Sequence, residues 1–161
     1  MSITVVINNT SFKIPSPGED PGWGDDTTAY LVEVSKVLNS LLGPGDLLET
    51  TFNVANDISV AEDIVGLAFD TGTVRAVIIE YSSYRVSDAN PSGNAETGVL
   101  MMIYDNSASA GNKWLLVQDS SEDSGITFSV TDVGQFQYTS TDIDSTNYSG
   151  VLKFKARTLS Q

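Results

Sequence analysis

The sequence predicts an α+β protein that is mainly antiparallel β, with an N-terminal hairpin and amphipathic helix followed by a β-sandwich or jelly-roll-like domain. Three observations carry this expectation. The stretch "DDTTAYLVEVSKVLNSLLGPG", residues 25–45, spaces its apolar residues by three and four, the period of a helix with one greasy side. After Gly45 the chain breaks into short β-rich runs separated by Gly, Asn, Asp and Ser clusters. The 161 residues are 40% apolar, which suits one domain with a core of its own. Residues 1–161 are read as that single domain, with a hairpin-elbow-helix region over 1–45 and a sandwich region over 46–161.

The elements follow in order. "SITVVI" reads as a strand, "NNT" tolerates the positive φ of a turn, and "SFKI" returns as the second arm of a hairpin. Next comes "IPSPGEDPGWG", residues 14–24, where Pro15, Pro17 and Pro21 fix φ and Gly18, Gly22 and Gly24 permit tight turns, so regular structure is excluded. This is a fixed elbow, with Trp23 placed to fold over the first helical turn as a staple. Asp25, Asp26 or Thr27 can cap a helix over 26–42, which Gly43-Pro44 closes. Its stripe of Leu31, Val34, Leu38 and Leu41 is suited either to pack on the sheet or to meet copies of itself about a symmetry axis.

Strands are expected at 47–55, 64–69, 73–86, 96–105, 113–118, 125–131, 134–141 and 148–158. Eight short strands in so few residues imply a sandwich, a jelly roll or a barrel. "AVII" at 76–79 is apolar on both faces and belongs at the centre of a sheet. The last strand alternates, with Leu152, Phe154 and Ala156 inward and Lys153, Lys155 and Arg157 outward. Those three cations either pair with acidic neighbours and protect the sheet or form a docking stripe for an acidic partner.

Composition removes several chemistries. There is no cysteine and no histidine, so thiolate sites, disulfides and the usual triads are absent. The net charge of −13 repels phosphate backbones and anionic membranes, and neither nucleic acid nor a membrane is expected as partner. Met1 to Ile7 lacks the basic start of a secretory signal, and "VLMMIY" at 99–104 is too short to span a bilayer. Acidic residues such as Asp119, Glu122, Asp123, Asp142 and Asp144 fall in turns, where Asp bonds local backbone. "DSSED" and "DIDS" lack complete EF-hand spacing. No catalytic residue, metal ligand or cofactor site is assigned, and the chain is expected not to be an enzyme.

Several stretches resemble small tailed-bacteriophage virion proteins of the head decoration or fibre type. In the first half these are Ile14-Pro15-Ser16, Gly18-Glu19, Trp23-Gly24 and the helix that follows. In the second half they are "GLAFD" at 66–70, "VRAVIIEYSSYR" at 74–85, "AETG" at 95–98, "GITFSVTDVGQFQYTST" at 125–141 and "YSGVLKFKART" at 148–158. The resemblance implies a non-enzymatic structural protein on the virion exterior. It also implies a homotrimer or other symmetric assembly that docks on capsid or tail proteins. Unlike fibre-type relatives, the chain runs straight through "GDLLETTFNVAND" and ends by 161, which favours a compact decoration protein. The rival readings are a receptor- or glycan-binding module of a tail fibre, which needs exposed aromatics from among Trp114, Tyr84, Tyr104 and Tyr148, and a polysaccharide depolymerase with paired carboxylates.

Overall fold

The computed structural model describes residues 3–7, 10–14, 24–40 and 43–161. They fall into two compact units, Met1–Leu42 and Gly43–Gln161. In the first unit, β1 (Ile3–Ile7) pairs antiparallel with β2 (Thr10–Ile14), Ile3 opposite Ile14 and Ile7 opposite Thr10. This is the hairpin expected from two β-rich arms around an Asn-rich turn. Helix α1 (Gly24–Ser40) lies against β1 and begins two residues before the sequence estimate, with Gly24 itself as its first residue. The elbow residues Pro15, Ser16, Gly18 and Trp23, and Leu41 of the helical stripe, lie outside the described residues.

Along α1 the covered side chains include Thr28 and Ser35, seven residues apart and so on one face. Leu31 and Leu38 remain 39% and 41% exposed, and Val34 is half-buried. The apolar stripe therefore stands to one side of the covered face.

The second unit holds all eight expected strands. They are β3 (Leu47–Asn53), β4 (Ile58–Ala68), β5 (Val74–Val86), β6 (Asn94–Tyr104), β7 (Trp114–Ser120), β8 (Ile126–Val130), β9 (Gln135–Ser140) and β10 (Ser149–Ser160). One antiparallel sheet has the order β3-β10-β5-β6-β7 and a second has β4-β9-β8. The arrangement is sandwich-like. β5, which carries "AVII", is the middle strand of the larger sheet, as its apolar character on both faces requires.

The two sheets meet through side chains of one parity. On β10, Leu152, Phe154 and Ala156 are buried while Lys153, Lys155 and Arg157 are exposed. Edge-to-face aromatic pairs cross between the sheets, Phe52 on Tyr138 at 5.5 Å and Tyr81 on Phe128 at 5.1 Å, each adding about 1 kcal/mol beyond area burial. β4 starts six residues before the sequence estimate. Its ladder with β9 is interrupted between Ile58 and Glu62 and again between Asp63 and Ala68, so residues 58–63 show no clean alternation for a sequence reading to detect.

Candidate functional site

The outer face of the five-stranded sheet is ordered in rows, because in-register antiparallel pairing sets side chains of the same parity abreast. One row runs Leu159, Ala76, Ile103, Leu115 across β10, β5, β6 and β7. The next runs Arg157, Ile78, Met101, Val117, and the one after it Lys155, Glu80, Val99, Asp119. The first two rows form an apolar block holding one cation and no carboxylate. Leu159 is 68% exposed and Leu115 65%, and Ile78, Met101, Ile103 and Val117 are each about half open.

Leu48, Val60, Val65 and Val133 are exposed elsewhere, while the rows beyond the block on its own face carry more polar side chains. Further along the same face the rows become polar, Lys153 beside Ser82 and Thr97, then Val151 beside Tyr84 and Ala95. On the smaller sheet the outward residues of β8 and β9 are Thr127 beside Thr139 and Ser129 beside Gln137. An antiparallel sheet facing water shows that polar pattern. The block departs from it, and its contiguous apolar surface lies at the upper end of what a monomer ordinarily exposes.

The basic stripe divides. Lys155 Nζ lies 2.6 Å from Glu80, and Lys153 Nζ lies 3.6 Å from Glu49. The hydrogen bond from Lys155 holds the Glu80 carboxyl below its ordinary value, with Arg157 adding a smaller attraction. Arg157 makes no ion pair among the described residues and stands inside the apolar block.

Between the sheets, at the other end of β5, is a polar cluster that sequence reading did not single out. Arg85 is fully buried and donates to Ser124 O at 2.9 Å, to Asn56 Oδ1 at 3.0 Å, to Tyr148 Oη at 3.1 Å and to the carbonyl of Thr141. Glu96, 4% exposed, accepts from the N–H and hydroxyl of Ser124 and from Tyr81 and Gln118. Desolvation pushes the Glu96 carboxyl up, but the hydrogen bonds from Ser124 and Tyr81 outweigh it and hold it below its ordinary value. The Tyr81 hydroxyl is raised, first by burial and then by its bond to Glu96. The signal was available: Arg85 shares the parity of inward Val77, Ile79 and Tyr81, and Glu96 that of inward Leu100 and Met102.

Turn carboxylates serve nearby groups. Asp123 accepts from the Gly125 N–H, Asp142 from Asn56 and the Asp144 N–H, and Asp144 from the Thr146 N–H. Among the described residues no three acidic side chains gather in a manner suited to a metal ion. Of the four candidate aromatics, Trp114 and Tyr104 are buried against each other at 5.0 Å, Tyr148 is half-buried beside Arg85, and Tyr84 is 46% exposed.

Fold and surface together define a sandwich-like β-protein with one apolar outer sheet end. No known family model matches the chain, and no curated protein matches it in sequence. Among solved structures it is similar to the crystal structure of the tailspike protein of Acinetobacter phage vB_ApiP_P1, at 13% identity and a TM-score of 0.41. The match covers 69% of this chain and 22% of that one, so the chain spans about a fifth of the tailspike's length.

Proposed function

We propose that the chain is a non-enzymatic bacteriophage virion protein. It acts as a capsid decoration or head-fibre component that assembles with copies of itself, as a homotrimer in the resemblance, and docks on other virion proteins at the particle exterior. The observation that carries the assembly half is the apolar block formed by Leu159, Leu115, Ile103, Ile78, Met101 and Val117, which the sandwich unit itself does not cover. The sequence resemblance over 14–24 and across the β-region supplies the virion half. Burial contributes on the order of 25 cal/mol per Å² before the costs of association, so a repeated contact stabilises a shell without chemistry. Glu96, the most buried carboxylate among the described residues, has both oxygens occupied by internal donors, a structural rather than a catalytic placement.

The described part of the helix stripe, exposed Leu31 and Leu38 with half-buried Val34, is a second apolar surface for assembly. Of the basic stripe, Arg157 stands within the sheet block, with Lys155 and then Lys153 in the rows beyond it. Measuring the mass of the purified protein in solution and labelling intact particles with an antibody against it tests the reading. A multimer present on particles is expected; a strict monomer absent from particles overturns it.

A second reading, a receptor- or glycan-binding module of a tail fibre, draws on the polar end of the same sheet face. There Ser82, Thr97, Ser121 and Lys153 line a shallow groove beside the exposed ring of Tyr84. Binding on a glycan array that Tyr84→Ala abolishes would favour it; silence across the array removes it.

A further inference from the structure

We infer that the apolar block is covered by the same block of a second copy, sheet on sheet, about a two-fold axis running along the strands. Such a contact joins two chains, or two trimers back to back, and does not itself build a trimer. The inference rests on the assembly half of the proposed function and not on the virion half. Three features of the face point to this occupant.

The first is area. Six side chains at 43% to 68% exposure present on the order of 600 Å² of apolar surface, the upper end of what an ordinary monomer shows. Two such faces brought together remove on the order of 1,200 Å² from water, where specific interfaces begin.

The second is charge. The chain carries −13, and two copies approaching through most of their surface set carboxylate against carboxylate. The rows Leu159-Ala76-Ile103-Leu115 and Arg157-Ile78-Met101-Val117 contain no acid.

The third is the register of the rows. A two-fold axis parallel to the strands, midway between β5 and β6, sets β10 of one copy over β7 of the other and keeps each row over itself. Leu159 then faces Leu115, Ile78 faces Met101, and Arg157 faces Val117. In the border row Lys155 faces Asp119, and Glu80 faces Val99. Leu159 meets Leu115 and Ile78 meets Met101, while Arg157 lies over Val117 at the margin of the contact with its guanidinium reaching outward to water. The cation at one end of the border row meets the acid at the other, across the separation of about 10 Å usual for packed sheets. A two-fold axis perpendicular to the strands sets each strand over itself and brings Lys155 nowhere near Asp119. Charge complementarity of this kind fixes register and partner choice.

The test uses the full chain, with solution mass as the readout and circular dichroism and melting temperature as the check on folding. Leu115→Glu, at an outward and mostly open position, is expected to leave the chain folded and to halve the mass of the assembly in solution, whatever other contacts the assembly uses. Lys155→Glu and Asp119→Lys are each expected to weaken the pairing at least several-fold, and the double exchange to restore it. Within one copy these two residues lie three strands apart, so rescue reports a contact between copies. An unchanged mass for Leu115→Glu overturns the inference. If the mass holds and the melting temperature falls, the chain's own residues cover the face. If Leu115→Glu halves the assembly and the double exchange does not rescue, the two-fold register is wrong. Absence of the protein from particles, with the mass results as expected, sinks the virion reading and leaves this one standing.

Discussion

Ser124 stands between Arg85 and Glu96, two charged side chains sealed inside the sandwich at 0% and 4% exposure. Its carbonyl accepts from Arg85, while its N–H and hydroxyl donate to Glu96. The charges are thus linked through one residue on the segment entering β8. A buried charge persists only where its bonding capacity is met. The larger sheet supplies Tyr81, Arg85, Glu96 and Gln118, and the segments flanking β4, β8 and β9 supply Asn56, Ser124 and Thr141, so the cluster ties the larger sheet to the ends of the smaller one.

Replacing members of this cluster should cost unequal amounts. Ser124→Ala removes the hydroxyl that donates to Glu96 and accepts from Ser83 but keeps the backbone contacts, and is expected to cost about 1–3 kcal/mol. Arg85→Leu strands the Thr141 and Ser124 carbonyls and the Tyr148 hydroxyl together, while Asn56 keeps the Ile143 N–H and Asp142, and should cost on the order of 3 kcal/mol or more. Urea unfolding of the two variants measures the difference. Equal losses would mean that the guanidinium bonds contribute little beyond packing.

Glu96 also predicts a pH dependence. Its folded carboxyl lies below the ordinary value of 4.5, with hydrogen bonds overcoming desolvation. A depressed folded value gives stability that is complete above the unfolded value and is lost as pH falls through the folded one. The stability difference between the natural chain and Glu96→Gln should therefore be largest near neutrality and shrink below about pH 4.5. Thermal melts across pH 3 to 7 would show this, and a difference independent of pH would mean that the Glu96 carboxyl titrates alike in the folded and unfolded chain and is not held below its ordinary value.

Two glycines with the same backbone demand separate strain from crowding. Gly134 has φ of 86° and Gly66 has φ of 88°, both in the left-handed region that costs other residues about 1 kcal/mol or more. A Cβ on Gly66 meets nothing within 4 Å, whereas one on Gly134 falls 2.0 Å from the carbonyl oxygen of Phe69. That backbone is also tied to Gly134 by the Phe69 N–H, 3.0 Å from the Gly134 carbonyl. Gly134→Ala should lower the melting temperature by several degrees more than Gly66→Ala. Matching melts for the two variants would show that the turn yields readily.

These residues also show what the sequence could carry. The alternation in "VLKFKART" placed Leu152 through Arg157 of β10 on their proper faces, because period two is a property of the strand alone. The same rule applied to Arg85 and Glu96 would have put both inside, but charge argues for the surface unless partners are known, and those partners come from segments 28 to 56 residues away in the chain. The apolar block was hidden for the opposite reason. "AVII" shows two greasy faces, which marks a central strand, but no local pattern says whether the second face is covered by the same chain. Residues 58–63 escaped because a strand with interrupted pairing loses the regular alternation that identifies it. Of the family-like elbow only Ile14 and Gly24 fall within described elements, so Trp23 as its pin stays an expectation.

Asp132 predicts a local effect. From the turn between β8 and β9 its carboxylate reaches the loop between β6 and β7, accepting from the Gly111 N–H at 2.7 Å and the Lys113 N–H at 3.2 Å. Those two bonds, Gly111 first, hold its carboxyl below the ordinary value. One side chain thus spans two loops, each oxygen assigned to a different amide. Asp132→Ala should speed hydrogen exchange at both amides while the neighbouring strands keep their protection. Asp132→Asn keeps one oxygen acceptor and should release one amide more than the other. If both amides exchange at natural rates in Asp132→Ala, the loop is held by its internal bonds, such as Asn112 N–H to Ser109 O at 3.0 Å, and the carboxylate is dispensable.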